Sequence, residues 1–258
     1  MPTFIFKNIN VSYTDAGAGS PVVLLHGFLE NKQMWHHFTP QLVAKNRVIT
    51  IDLLGHGLTD CLGYVHSMEL QAELVFALLG ALHIDKTALI GHSMGGYVAL
   101  AFATDYPKMV SQMVLLNSTS YDDTADKKAS RNRAINAVKL NANAFIRLSI
   151  GNLFTEKNRV GLHTEIELIK TAALKTPLQG IIAALEGMKS RKNRHFVLQT
   201  APFEIVLILG KQDPVLNYDQ TILQVHNTQV KLITLPDGHM SWIENRNELH
   251  AILTSLFD

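Results

Sequence analysis

Chemistry is concentrated in four short stretches of the chain. Gly91-His92-Ser93-Met94-Gly95 has the form G-x-S-x-G. A serine there must sit on a sharp strand-to-helix turn, with small neighbours letting the backbone pass and the hydroxyl left standing above a sheet. The flanks fit: Ala88-Leu89-Ile90 precedes it and Tyr97-Val98-Ala99-Leu100-Ala101 follows. An ordinary glycine-rich turn can carry the same letters, and it is this context that favours a nucleophile. A serine is a poor nucleophile alone, so it needs a base to take its proton and an acid to orient that base.

The order expected for such a set is serine, acid, histidine. Of 12 histidines, His239 in Gly238-His239-Met240 follows the last strand-like run, Val230–Leu235, and is the expected base. The preceding run, Phe203–Leu209, leads into Gly210-Lys211-Gln212-Asp213-Pro214, making Asp213 the expected acid. Asp122 or Asp123, after the run Met109–Leu116, is the rival, although its surroundings read as a solvated loop. Acyl transfer also needs donors for a developing oxyanion. The backbone N–H of Met94 is one. The other is expected after Val22–Leu25, in His26-Gly27-Phe28, with Phe28 N–H preferred.

These residues require a scaffold that brings strand ends to one edge. Strand-like runs at Val22–Leu25, Arg47–Ile51, Thr87–Ile90 and Met109–Leu116 alternate with helical patterns at Lys32–Ala44, Met68–Leu82 and Tyr97–Thr104. Phe4–Ile9 and Val11–Thr14 read as an N-terminal hairpin. This alternation predicts an α/β fold, a mostly parallel central sheet with helices on both faces. The rhythm stops after Asn117. Arg131–Ile150, Glu165–Lys175 and Leu178–Lys189 are helical, strands resume at Phe203, and Glu244–Phe257 closes as a helix. The expected organisation is a core of residues 1–117 and 200–258 with a helical cap, 118–199, inserted between two strands.

The 258 residues fit one core plus an insertion, since single cores seldom exceed about 250–300 residues. Hydrophobic residues make up 47%, which excludes a disordered chain. A formal charge of +1 argues against a nucleic-acid-binding protein, which needs a strong cationic footprint. The single cysteine, Cys61, excludes an internal disulfide framework. Met1–Asn8 lacks the basic-then-apolar form of a secretory leader, and no apolar run approaches the roughly 18 residues of a membrane helix. A cytoplasmic protein with no membrane or nucleic-acid partner is expected. No metal site is expected: His36-His37 are adjacent and cannot face one another on a helix, and His163 with Glu167 lacks HExxH. Gly91–Gly96 and Gly17-Ala18-Gly19 fit neither a phosphate loop nor a dinucleotide fingerprint.

His26-Gly27-Phe28, Asp52-Leu53-Leu54-Gly55-His56-Gly57-Leu58-Thr59, Gly91–Gly96, Gly210–Asp213 and Gly238-His239 together resemble the α/β-hydrolase superfamily, specifically its capped serine-esterase-like members, over nearly the whole chain. The resemblance implies a Ser93–Asp213–His239 triad, a structural role for Gly55 and Gly57, and no cofactor. It gives neither His56 nor His92 a catalytic task, so both are expected to be supporting polar residues. The expected activity is hydrolysis of a small or medium carboxylic ester through an acyl-enzyme. The family leaves lactonase, thioesterase, carbon–carbon bond hydrolase, menaquinone-pathway synthase and small-molecule receptor as alternatives. Its aspartate-nucleophile branches do not fit Ser93.

Phe28 and three residues of the expected cap, Phe145, Leu148 and Phe154, are the candidate pocket lining. Lys127, Lys128, Arg131 and Arg133 gather near one end of the cap, and Lys189, Arg191, Lys192 and Arg194 near the other. If those ends converge beside the pocket, the eight cations form a collar that steers anionic substrates. Otherwise they are two solvated helix ends.

Overall fold

A computed structural model describes residues 2–258. Its sheet has eight strands: β1 (Thr3–Phe6), β2 (Ile9–Ala16), β3 (Ser20–Leu25), β4 (Asn46–Ile51), β5 (Thr87–His92), β6 (Val110–Leu116), β7 (Glu204–Gly210) and β8 (Lys231–Leu235). Their spatial order is β1-β2-β4-β3-β5-β6-β7-β8. β1 and β2 are the antiparallel hairpin, turned by Lys7 and Asn8, both at positive φ. β2 joins β4 antiparallel, and strands β3 to β8 run parallel. The middle strands are buried along nearly their whole length, with β5 and the last four residues of β3 and β6 inaccessible. Such strands read as continuous Val/Leu/Ile runs because helices cover both faces.

Helix α1 (Thr39–Leu42) is a single turn, α2 (Met68–Ala81) is capped by the Ser67 hydroxyl on Leu70 N–H at 3.1 Å, and α3 (Met94–Asp105) starts directly after Ser93. α2 and α3 pack together, while α1 packs on the C-terminal helix, α11 (Arg246–Phe257). The helix expected over Lys32–Ala44 is instead a 3-10 turn at Lys32–Trp35, a bend, and α1. Asn31 caps the first piece through Gln33 N–H at 2.9 Å, and Pro40 favours a fresh helix start.

Between β6 and β7 the chain forms helices only: α4 (Ala125–Gly151), α5 (Glu156–Gly161), α6 (His163–Ala173), α7 (Leu178–Lys189) and α8 (His195–Thr200). α4 is broken at Asn141, where the backbone becomes extended and the side chain caps Ala144 N–H at 3.0 Å. α5 and α8 have no counterpart in the sequence reading, being too short for a helical period to register. α4 packs on α6 and α7, whereas α8 packs on α3. After β7 come α9 (Tyr218–Thr221), then, beyond β8, α10 (Ser241–Glu244) and α11 (Arg246–Phe257). The closing helix expected from Glu244 is thus split at Asn245, whose amide turns back to the Asp237 carboxylate at 2.9 Å.

Candidate active site

Ser93 lies between β5 and α3 at φ 49° and ψ −111°. A non-glycine residue in this region costs about 1–3 kcal/mol and persists only where its surroundings enforce it. Here they do. Ser93 N–H donates to Leu116 O at 2.9 Å, and its carbonyl accepts from Gly96 N–H at 3.0 Å and the Ser118 hydroxyl at 2.9 Å. A Cβ on Gly95 would run into the Leu25 carbonyl, so no larger residue lets α3 start this close to β3. The Met94 N–H is the first of α3, one of the four that no helix carbonyl can accept. The Phe28 N–H makes no backbone hydrogen bond among the described residues.

The Ser93 hydroxyl lies 2.9 Å from His239 Nε2, and His239 Nδ1 lies 2.7 Å from Asp213 Oδ2. With the carboxylate accepting, Nδ1 carries the proton and Nε2 is free to accept from serine. Asp213 Oδ1 accepts from Val215 and Leu216 N–H at 2.7 and 2.9 Å, and Asn117 Nδ2 donates to Oδ2 at 3.1 Å. Burial alone would raise the Asp213 carboxyl. The His239 charge and hydrogen bond, helped by the two N–H groups, outweigh burial and hold it below the ordinary range. Asn117 sits at φ 44° just past β6 and also bonds Gly238 O at 3.2 Å, joining the acid's loop to the histidine's.

The rival acids lie elsewhere. Asp123 is not in a solvated loop: its side chain is fully buried, with Arg131 Nε on one oxygen and Arg191 Nη1 at 2.6 Å on the other. Asp122 is partly exposed, facing Asn193 at 3.3 Å and Lys128 at 3.9 Å. The eight cations therefore form no free collar. Asp122 and Asp123 take Lys128, Arg131 and Arg191, Glu69 takes Lys192 and Arg194, and Glu186 takes Lys189. Of the eight, only Lys127 and Arg133 have no carboxylate partner among the described residues. Arg191 also lies over the Tyr97 ring at 4.1 Å.

The cavity at Ser93 has a volume of about 110 Å³. Phe28 lines it, together with Tyr97, Arg131, Leu153, Met188 and Val215. Phe145, Leu148 and Phe154 do not. Ile146 and Ile150 turn inward on α4, which places Leu148, two residues from each, on the opposite face, 67% exposed. Phe154 is fully buried in the core, Phe145 is partly buried against that core, and Leu153 takes the lining position.

A second imidazole–carboxylate pair supports the first. His92 Nδ1 meets Glu30 Oε2 at 2.8 Å, and His92 Nε2 meets the His239 carbonyl at 3.0 Å. Glu30 Oε2 also accepts from Gly27 N–H at 2.6 Å, and Oε1 accepts from Trp242 Nε1 at 3.2 Å. One carboxylate thus ties the loop of the expected oxyanion donor, the serine turn and α10 together. The sequence reading missed Glu30, Asn117 and Trp242. Their only signal was position, one to five residues beyond a strand end or His239.

His26 and His56 are buried without facing Ser93. His26 Nε2 accepts from Leu53 N–H at 2.9 Å, which leaves Nδ1 to donate to Gly27 O at 2.8 Å. Burial drives His56 down to about 3, with the neighbouring His26 assisting. Asp52 accepts Lys32 and Leu58 N–H at 2.8 and 3.0 Å and pairs with the buried Lys32 ammonium. Gly57, at φ 56°, has no room for a Cβ against that carboxylate. The segment that includes Gly55 and Gly57 is therefore a braced turn, not a reacting group. His36 and His37 do face one another, with ring centroids 3.7 Å apart, because they lie in a bend past the 3-10 turn instead of on an α-helix.

Residues 20–245 match the sequence model of the alpha/beta hydrolase fold family. The chain belongs to that family. A thermophilic esterase from Thermogutta terrifontis, solved with malate bound, is 28% identical, with a TM-score of 0.90 over 96% of this chain and 93% of that one. The enol-lactonase of Burkholderia xenovorans LB400 shares the fold at a TM-score of 0.91 and 18% identity, over 98% of each chain. Among curated relatives, a Bacillus subtilis protein named as a 2-succinyl-6-hydroxy-2,4-cyclohexadiene-1-carboxylate synthase is 39% identical over 131 residues, 49% of this chain and 47% of the relative. A 2-hydroxy-6-oxo-2,4-heptadienoate hydrolase of Pseudomonas putida is 35% identical over 114 residues, 43% of this chain and 41% of that protein. These two matches thus span less than half the relatives' own length, and the first-ranked curated matches only 35%. Among the described residues, no helix is long and apolar enough to cross a membrane.

Proposed function

We propose that this chain is a serine hydrolase that cleaves a carboxylic ester with a short acyl group through an acyl-enzyme. The observation that carries this reading is the unbroken chain Ser93 Oγ, His239 Nε2, His239 Nδ1, Asp213 Oδ2, with links of 2.9 and 2.7 Å across the residues. In it His239 takes the Ser93 proton as Oγ attacks the carbonyl carbon. The Met94 and Phe28 N–H groups receive the oxyanion. Asp213 stabilises the imidazolium, which then protonates the leaving alkoxide, and water repeats the sequence to release the acid. None of these steps draws on a cofactor.

The cavity volume supports the short end of the substrate range. About 110 Å³ is well below the roughly 300–1,000 Å³ of pockets that enclose drug-sized ligands. Residues 118–199 act in this reading as a cap over residues 1–117 and 200–258, supplying Arg131, Ser149, Leu153 and Met188 to the cavity wall.

Arg131 favours a second reading, in which the substrate carries its own carboxylate beside the scissile bond, as in carbon–carbon bond hydrolysis. Its guanidinium already holds Asp123, so the substrate would share it. Activity screening across short and medium aryl esters, lactones, thioesters and vinylogous keto-acids decides between the readings, with Ser93→Ala as the control. Ester turnover that declines with acyl length supports the first, and turnover confined to keto-acids supports the second.

A further inference from the structure

A larger cavity lies on the other side of the Leu29–Glu30 wall. It has a volume of about 490 Å³ and opens between α6 and the start of α11. Its apolar lining includes Leu168, Ile169 and Trp242. Leu168 is 66% exposed although it stands on a helix whose other face is buried. The basic groups of the lining cluster beside the acidic Glu30 and Glu165. His36, His37 and Arg246 gather there, and burial followed by the charges of His36 and Arg246 disfavours the His37 imidazolium.

Arg246 is poorly placed unless something negative joins it. It occupies the first position of α11, where the positive end of the helix disfavours a cation. It has no carboxylate partner among the described residues, and its Nε is buried without an acceptor. Unpaired buried donors are uncommon, and each calls for a partner that completes it. The carboxylates on the lining do not fill that role. Glu30 is committed to His92, Gly27 and Trp242, and Glu165, on the α6 side, makes no ion pair among the described residues.

We propose that this cavity is a second ligand site, taking a carboxylate with an apolar body, such as a medium-chain fatty acid, whose head meets Arg246 and His37 and whose tail lies along Leu168, Ile169 and Trp242. The site stands on its own lining and does not depend on the activity proposed for Ser93. Leu29, at φ 62°, and Glu30 belong to both cavities, so an occupant presses on the same short turn that carries Phe28.

Calorimetric titration of the whole protein with octanoate and with octanol tests this. Octanoate is expected to bind saturably at one site per chain, at least tenfold more tightly than octanol. Arg246→Gln is expected to remove that preference by weakening octanoate about tenfold and leaving octanol unchanged. Leu168→Asp, at an exposed position tolerant of change, is expected to weaken both ligands and to leave turnover at Ser93 unchanged. It carries the test if Arg246→Gln does not fold. Absence of saturable octanoate binding overturns the proposal. So does octanoate binding that neither variant alters, which would place the ligand elsewhere, including in the Ser93 cavity.

Discussion

His92 and Glu30 form an ion pair buried to within 2% of full enclosure, and both ring nitrogens of His92 face acceptors: the Glu30 carboxylate at 2.8 Å and the His239 carbonyl at 3.0 Å. Two acceptors require two N–H donors, so His92 is the imidazolium in this arrangement. Burial opposes that charge, but the Glu30 charge and hydrogen bond, together with the His239 carbonyl, raise its pKa above the ordinary value. Glu30 shifts the other way. Burial would raise it, and the His92 charge and hydrogen bond hold it lower.

The pair therefore stabilises the fold over a bounded pH range. The His92 contribution is complete below the ordinary histidine value and is lost as pH rises through its raised folded value. The Glu30 contribution is complete above the ordinary glutamate value and is lost as pH falls through its lowered one. Glu30→Ala strands a buried imidazolium and is expected to cost about 3–5 kcal/mol, lowering Tm by roughly 6–20 °C. Thermal melts from acid to alkaline pH check both statements. Wild type should lose stability at the alkaline end, and Glu30→Ala should lose that slope.

Asp213→Asn is expected to lower turnover by on the order of 10³–10⁴, the loss that follows when a triad histidine is held in the wrong tautomer. Asp123→Asn should behave differently. It leaves Arg131 and Arg191 facing a neutral buried amide, so its loss is in stability, about 3–5 kcal/mol. Asp122→Asn, at a partly exposed position, is expected to change stability by less than about 0.5 kcal/mol and turnover very little. Melting curves and kcat for the three variants separate acid, structural anchor and surface residue. A large catalytic loss in a fully stable Asp123→Asn would assign the acid to β6 instead.

The paired cations predict that ionic strength acts alike on neutral and anionic esters of equal length. Six of the eight basic residues at the two ends of the 118–199 segment already hold carboxylates, so little net field remains at the cavity mouth. Measuring kcat/KM for both esters from low to high salt should give parallel curves. A selective loss for the anionic ester would show that steering survives the pairing.

The 118–199 segment is tied to the loop that carries His239. His239 N–H donates to Leu153 O at 3.2 Å, and Glu244 Oε1 accepts from Thr155 N–H, the Thr155 hydroxyl and Asn158 Nδ2 at 2.9, 2.9 and 3.1 Å. Hydrogen exchange is expected to be faster across α5 and α6 than across β3, β5 and β6, with Thr155 protected like the core because Glu244 anchors it. Protection across α4–α7 equal to that of β3, β5 and β6 would show that the segment does not open separately from the sheet.

The parallel sheet was legible because buried strands such as Val22–Leu25 and Ile205–Leu209 are uninterrupted apolar runs ending at glycine, histidine or aspartate. Ser93, His239 and Asp213 were legible because each follows such an end. What the sequence did not show depends on contacts between distant segments. Glu30 and Trp242 are 212 residues apart and meet only after β3 and the loop beyond β8 reach the same edge. Asp123 looks solvated among its neighbours, and only Arg131 and Arg191, 8 and 68 residues away, make it a buried anchor. Leu148 and Phe154 are apolar in a helical region, but helix phase decides which side chain reaches the cavity, and the break at Asn141 sets that phase. His36 and His37 meet because the chain bends where the pattern suggests a continuous helix.

The most direct test of the assignment is to treat the protein with a fluorophosphonate and locate the adduct by peptide mass mapping, alongside ester turnover in Ser93→Ala. One adduct is expected, on Ser93, formed much more slowly in His239→Gln, with ester turnover abolished in Ser93→Ala while its melting temperature is unchanged. An adduct on another residue, or undiminished turnover in Ser93→Ala, would contradict the assignment.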